Sequence, residues 1–225
     1  ILAFIVRINF FIATPNQALW WDEAEYGATA KHWALDVPYQ INQQRPPLFQ
    51  FLWSLAILAG FSENLIKFLF VLLPSTFLVF AVYLLGSEMF NKKVGLIAAF
   101  LSIFSWSLLF WGNRFQPDFF SLSFQVLSVF FMWKHWKTKQ TSLVILAAFF
   151  AALGFYFKVS ALLVPMIFIV FILLKERLSC FTNKHNYYFA ASFLLTLVPY
   201  FIWSFLSFEG NPLAFRKGYT SEYTH

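Results

Sequence analysis

Charge is scarce in this chain. Only 12% of its residues are Asp, Glu, Lys or Arg, about half the share of a soluble domain, and that shortage excludes an ordinary water-soluble fold for a sequence that is 60% hydrophobic and 23% aromatic. Cysteine is nearly missing too. Cys180 stands alone, which rules out an intrachain disulfide framework and a cysteine-cluster metal site. The histidines His32, His135, His185 and His225 lack metal-ligand spacing, so no histidine metal site is expected; no cofactor is predicted, and a divalent metal stays open without a residue to support it. There is no Gly-rich phosphate loop, no Ser/His/Asp set and no zincin motif, which argues against nucleotide chemistry. Nucleic acid is likewise not an expected partner, because the basic residues fall in short loops rather than on an extended face.

What the chain has instead is apolar length. Runs near residues 65–86, 94–112, 118–133, 141–156, 159–174 and 187–207 each approach or reach the ~20 residues that cross a ~30 Å hydrocarbon core. The expected fold is all-α, a polytopic transmembrane helical bundle forming a single membrane domain over 1–225. The run at 1–13 opens on Ile1 and carries Arg7, unlike a signal peptide, and reads as a clipped first span. The far end, "RKGYTSEYTH", has no closing apolar segment, so the sequence reads as an N-terminal portion of a longer protein.

Charge placement orients the bundle. Half of the 16 basic residues lie in three short loops, 87–93, 134–140 and 175–186, and the positive-inside rule assigns these to the cytoplasm. The segment "PPLFQFLWSLAILAGF", 46–61, has a helical part too short for a full crossing. Read as interfacial, it leaves 14–64 as one external segment, with juxtamembrane helices and with Asp118 on the same face.

That external face holds the residues suited to chemistry. In "WWDEAEYGATAKHW", Asp22, Glu23 and Glu25 fall within four positions of a chain with ten carboxylates. Asp22 suits a helix N-cap with Glu25 completing a capping box, while Asp22, Glu25, Tyr26 and Thr29 share one helical face. Asp118 follows Pro117 at the start of a long apolar run, again either a helix-start carboxylate or a site acid. Lys158, between two nearly continuous apolar segments, must snorkel or meet a counter-charge. Arg45 before Pro46 and Pro47 could offer a forked donor to a phosphate or a lipid headgroup, and Arg114 invites the same two readings. Arg7, inside an apolar run, calls for a partner such as Asp118.

The ordered set of an arginine in the first span, "DEAEY", "RPPL", Asp118 and "FKVS" resembles the dolichyl-phosphate-mannose protein mannosyltransferase-like superfamily of membrane glycosyltransferases with the GT-C fold, which includes aminoarabinose transferases. The resemblance implies a polyprenyl-phosphate-linked sugar donor, a hydroxyl acceptor on protein, lipid or glycan, membrane lipids as surroundings, and inverting transfer at the external face. By matching motifs it gives catalytic roles to Asp22, with Glu23 beside it, and to Asp118. Arg45 would lie near the lipid phosphate, and Lys158 falls where many members have a lysine at an external helix end. Tyr26 and Arg114 complete the expected substrate-binding set. Glu25 stands where aminoarabinose transferases have an arginine, and Gln44 where they have an acid, so that narrower assignment is disfavoured. A transporter or lipid flippase is the competing class, and it predicts discontinuous helices in two related halves, which the sequence does not display.

Overall fold

The computed structural model describes residues 1–14 and 17–216. Lys217, His225 and most of "RKGYTSEYTH" lie outside the described residues. All regular structure among the described residues is helical. The α-helices are α1 (Leu2–Ala13), α2 (Trp21–Leu35), α3 (Leu48–Leu58), α4 (Glu63–Met89), α5 (Lys92–Phe104), α6 (Trp106–Gly112), α7 (Asp118–Thr138), α8 (Thr141–Phe157), α9 (Leu163–Glu176) and α10 (Lys184–Ser207).

Each expected apolar run is helical, yet the runs differ in what they could cross. Glu63–Met89, Val159–Glu176 and Lys184–Ser207 are long and apolar enough to span a membrane, and α5 with α6 would make a fourth if their bent pair is one span. That pair is a departure from the continuous run expected over 94–112, because Ser105 is extended and the two helices meet at 59°. The runs at 118–133 and 141–156 form the expected helices but fall short of that long, apolar class. Helix α7 carries Ser121, Ser123 and Ser128 along its buried surface, which dilutes its hydropathy, and α8 has only 17 residues.

These two helices form the packed centre. Ala147, Ala148, Ala151 and Ala152 of α8 are fully buried, small side chains that let backbones approach as they do between membrane helices. The close approach lets Ser128 Oγ donate to Ala147 O at 2.7 Å and Ser121 Oγ donate to Gly154 O at 2.9 Å. A Cβ at Gly154 would stand 3.3 Å from Ser121 O, so the position suits glycine.

Two helices carry local irregularities. In α4 a π-helical stretch, Phe68–Leu72, runs into Pro74, which has no N–H for the ladder. In α10, Pro199 lies inside the helix, and the hydroxyl of Tyr156 from α8 enters the ladder beside it, accepting from Tyr200 N at 3.1 Å and donating to Thr196 O at 2.8 Å.

The helix directions sort the loops. Lys137 pairs with Glu88 at 3.2 Å, and the rings of His135 and His185 stand 4.7 Å apart, so the lysine-rich loops 87–93, 134–140 and 175–186 gather at one end. The starts of α4 and α7 point to the other end, where α2 and α3 lie. Helix α3, at 11 residues and about 16 Å, is indeed too short to cross.

Candidate active site

Helix α2 begins where Glu23 reaches back to its own entry. Glu23 Oε2 accepts from Trp20 N at 2.5 Å, making Trp20 the N-cap and correcting the expected Asp22–Glu25 box by two residues. The reason is long-range: Glu23 Oε1 also accepts from Phe115 N at 2.6 Å, and Arg114 Nη2 lies 2.8 Å from Oε2. Arg114 further stacks on the Trp20 ring, 3.8 Å from its centroid. Both side chains of this ion pair are at most 2% exposed, so the pair fixes α2 to the turn before α7 and is closed to solvent.

Asp22, one position earlier, points elsewhere because successive helical residues are rotated by about 100°. Its carboxylate accepts from Arg45 Nη2 at 2.8 Å. The same guanidinium pairs with Glu25, and its Nη1 donates to the Tyr26 hydroxyl at 2.7 Å. Glu25 is steadied from the other side by Asn42 Nδ2 at 2.7 Å, while Asn42 Oδ1 accepts from Gln44 N at 2.9 Å and shapes the turn that delivers Arg45. Pro46 and Pro47 then restrict the backbone before α3 starts at Leu48.

Beneath this cluster lies an aromatic hub. Phe49 is fully buried and meets Tyr26, Trp53, Phe70, Phe115 and Phe120 edge-on at 5.4–6.2 Å. The hub holds the Tyr26 ring, which is 6% exposed. Burial pushes the Tyr26 phenol up to about 12; Arg45 opposes that shift, and the charges of Asp118 and Asp22 add to it. Both aspartates therefore stand close enough to act on one hydroxyl. For Arg45, burial would lower the pKa, but Tyr26, Asp22 and Glu25 outweigh it and hold the guanidinium above its ordinary value.

Asp118 is the first residue of α7, and Lys158 follows the last residue of α8. The two form an ion pair, each partly exposed. Lys158 thus meets a counter-charge from the neighbouring helix. Arg7 does not meet Asp118. It is 2% exposed among α1, α4 and α5, and its Nη2 donates to Ser102 O at 3.3 Å, because the bend after Phe104 leaves carbonyls of α5 available.

The structure thus brings together Asp22, Tyr26, Arg45, Asp118 and Lys158, and places Glu23 with Arg114 in a buried pair at the side. Glu25 and Asn42 belong to the cluster although the sequence reading gave them no site role. Their available signals were the helical spacing of Glu25 from Asp22 and Asn42's place three residues before Arg45. Among the described residues no group of three or more His, Cys, Asp or Glu side chains is placed to hold a metal ion.

Comparison with known proteins gives one positive result. No curated protein and no solved structure matches the chain. The matched family segment, residues 44–203, includes Arg45, Arg114, Asp118 and Lys158 and begins after α2, so it does not reach Asp22, Glu23, Glu25 or Tyr26. Because that segment covers well over half of the sequence, the chain belongs to the dolichyl-phosphate-mannose-protein mannosyltransferase family.

Proposed function

We propose that the chain transfers a sugar from a polyprenyl-phosphate-linked donor to a hydroxyl acceptor, with inversion, at the membrane face opposite its lysine-rich loops. The observation that carries this reading is Arg45, whose fork joins Asp22, Glu25 and Tyr26 beside the Asp118–Lys158 pair. Such a guanidinium is suited to a phosphate, and a neighbouring carboxylate is suited to a hydroxyl proton.

In this reaction the acceptor oxygen attacks the anomeric carbon as Asp22 takes its proton. The bond from that carbon to the phosphate oxygen breaks, and its electron pair leaves with the polyprenyl phosphate. Arg45 and Lys158 stabilise the charge that collects there. Asp22 suits the base role because its side chain is 55% exposed against 21% for Glu25. An incoming phosphate competes with Asp22 for Arg45, while Glu25, steadied by Asn42, keeps the guanidinium in place. Asp118 holds Lys158 and orients the acceptor. Glu23 and Arg114, closed to solvent, position α2 rather than touch substrate.

Membranes carrying the protein, incubated with labelled polyprenyl-phosphate sugar, provide the test. The expected result is transfer that falls by ~10²–10⁴ in Asp22→Asn at unchanged protein level. Full transfer by a folded Asp22→Asn protein would remove Asp22 as the base, and a donor left intact but moved across the membrane would favour the flippase reading.

A further inference from the structure

The segment "PPLFQFLWSLAILAGF", 46–61, contains one amide, Gln50, in the first turn of α3. The fold buries it. At 2% exposure, beside the fully buried Phe49, its two N–H donors need partners inside the protein. They are found just behind it in the chain. With its nitrogen turned toward the entry of α3, Gln50 Nε2 donates to Pro46 O at 2.9 Å and to Pro47 O at 3.3 Å, whereas the opposite orientation sets the amide oxygen against both carbonyls.

This bonding serves the turn and not the helix start. The orphan groups at a helix N-terminus are N–H donors, and the Gln50 nitrogen meets acceptors instead. Pro47 O also accepts from Phe51 N at 2.9 Å, the first bond of α3. Pro46 is buried, so its carbonyl depends on a partner within the protein, and the two prolines have no N–H with which to tie the turn themselves. Side-chain amides hold it from both sides. Asn42 acts before Arg45, through Gln44 N, and Gln50 acts after it.

We infer that Gln50 is a positioning residue: by clamping the Pro46 and Pro47 carbonyls it fixes the backbone from which Arg45 reaches Asp22, Glu25 and Tyr26, and so sets how firmly Arg45 holds the donor phosphate. The inference rests on the phosphate role proposed for Arg45. The guanidinium meets its three partners from one place only if the turn delivers it there, and a displacement of about 1 Å is enough to spoil such a clamp.

Two readouts on the full chain in membranes test this. The first needs no transfer: phenylglyoxal modifies accessible guanidinium groups, and mass spectrometry compares Arg45 with Arg177, which is exposed at the other end of the bundle. Gln50→Met keeps the side-chain length and loses both donors, and should raise the Arg45-to-Arg177 labelling ratio about fivefold, the weight of one neutral hydrogen bond. The second readout is KM for labelled polyprenyl-phosphate sugar. It should also rise about fivefold in Gln50→Met, whereas a mere loss of folded protein would lower the maximal rate and leave KM alone. Gln50→Glu sets carboxylate oxygens against the two carbonyls until a proton restores a donor, so its KM relative to wild type should fall back between about pH 8 and about pH 5, a dependence that Gln50→Met lacks. If Gln50→Met does not accumulate, Gln50→Asn, one CH₂ too short to reach both carbonyls, carries the same readouts. An unchanged labelling ratio, or an unchanged KM where the wild type transfers sugar, would overturn the inference. A wild type without transfer would instead strike the proposed reaction and leave the labelling ratio to decide whether Gln50 holds Arg45.

Discussion

Asp22 and Glu23 are neighbours in sequence and opposites in circumstance. Asp22 lies 55% exposed on a guanidinium that also serves Glu25 and Tyr26. Glu23 is 2% exposed, with both oxygens committed to Arg114, Trp20 N and Phe115 N. One carboxylate is available to a ligand and the other is consumed by architecture. Acids that cluster in a sequence therefore need not share a role, and about 100° of helical rotation is enough to separate them.

Mutations can break this contrast in graded steps. Glu23→Ala should have the largest effect on folding, because it leaves the Arg114 charge buried and unpaired, a situation that costs about 3–5 kcal/mol. The expected outcome is a much lower melting temperature or loss of the protein from membranes. Asp22→Asn should do the reverse, leaving melting within about 1 kcal/mol of wild type while transfer collapses. If the two variants behaved alike, the division between architecture and chemistry would be wrong. Arg45→Gln should lower transfer by about 10²-fold through loss of the forked donor, read as a fall in the rate constant on labelled donor.

Tyr26→Phe gives the smallest and most specific effect. It removes the hydroxyl bond to Arg45, which is worth about 1 kcal/mol. It also changes the alkaline limb of stability. The folded phenol titrates near 12 against an ordinary value of 10.0, so the folded state holds its proton more tightly and the wild type loses that stability as pH rises from about 10 through 12. Subtracting the Tyr26→Phe melting curve from the wild-type curve across that range should isolate the loss.

The helices were legible because apolar runs of membrane length permit little else. The division of those runs was less so. Nothing in the pattern over 94–112 marks Ser105 as the break, since no proline or glycine stands within five residues of it. Capping was visible in kind but not in register: the choice of Trp20 over Asp22 depends on Phe115 N, 92 residues away from Glu23. Arg114 offered a similar difficulty, because its partner is supplied by folding. Lys158 was easier, as an ammonium between apolar segments demands a counter-charge or an exit to water, and Asp118 provides the first. For Arg7 the same rule suggested an acid, whereas a backbone carbonyl at Ser102 meets part of the need.

The Tyr156 hydroxyl at Pro199 has a geometrical consequence. A proline alone leaves a helix with a soft joint, but here Thr196 O and Tyr200 N are spaced by an atom belonging to α8. The ladder of α10 at that point is therefore completed by a neighbouring helix. Its last turn aims the chain so that Phe215 returns onto Phe155 and Tyr200, closing a knot of rings around the joint. One phenolic oxygen thus ties α8 into the backbone of α10 shortly before the described chain ends.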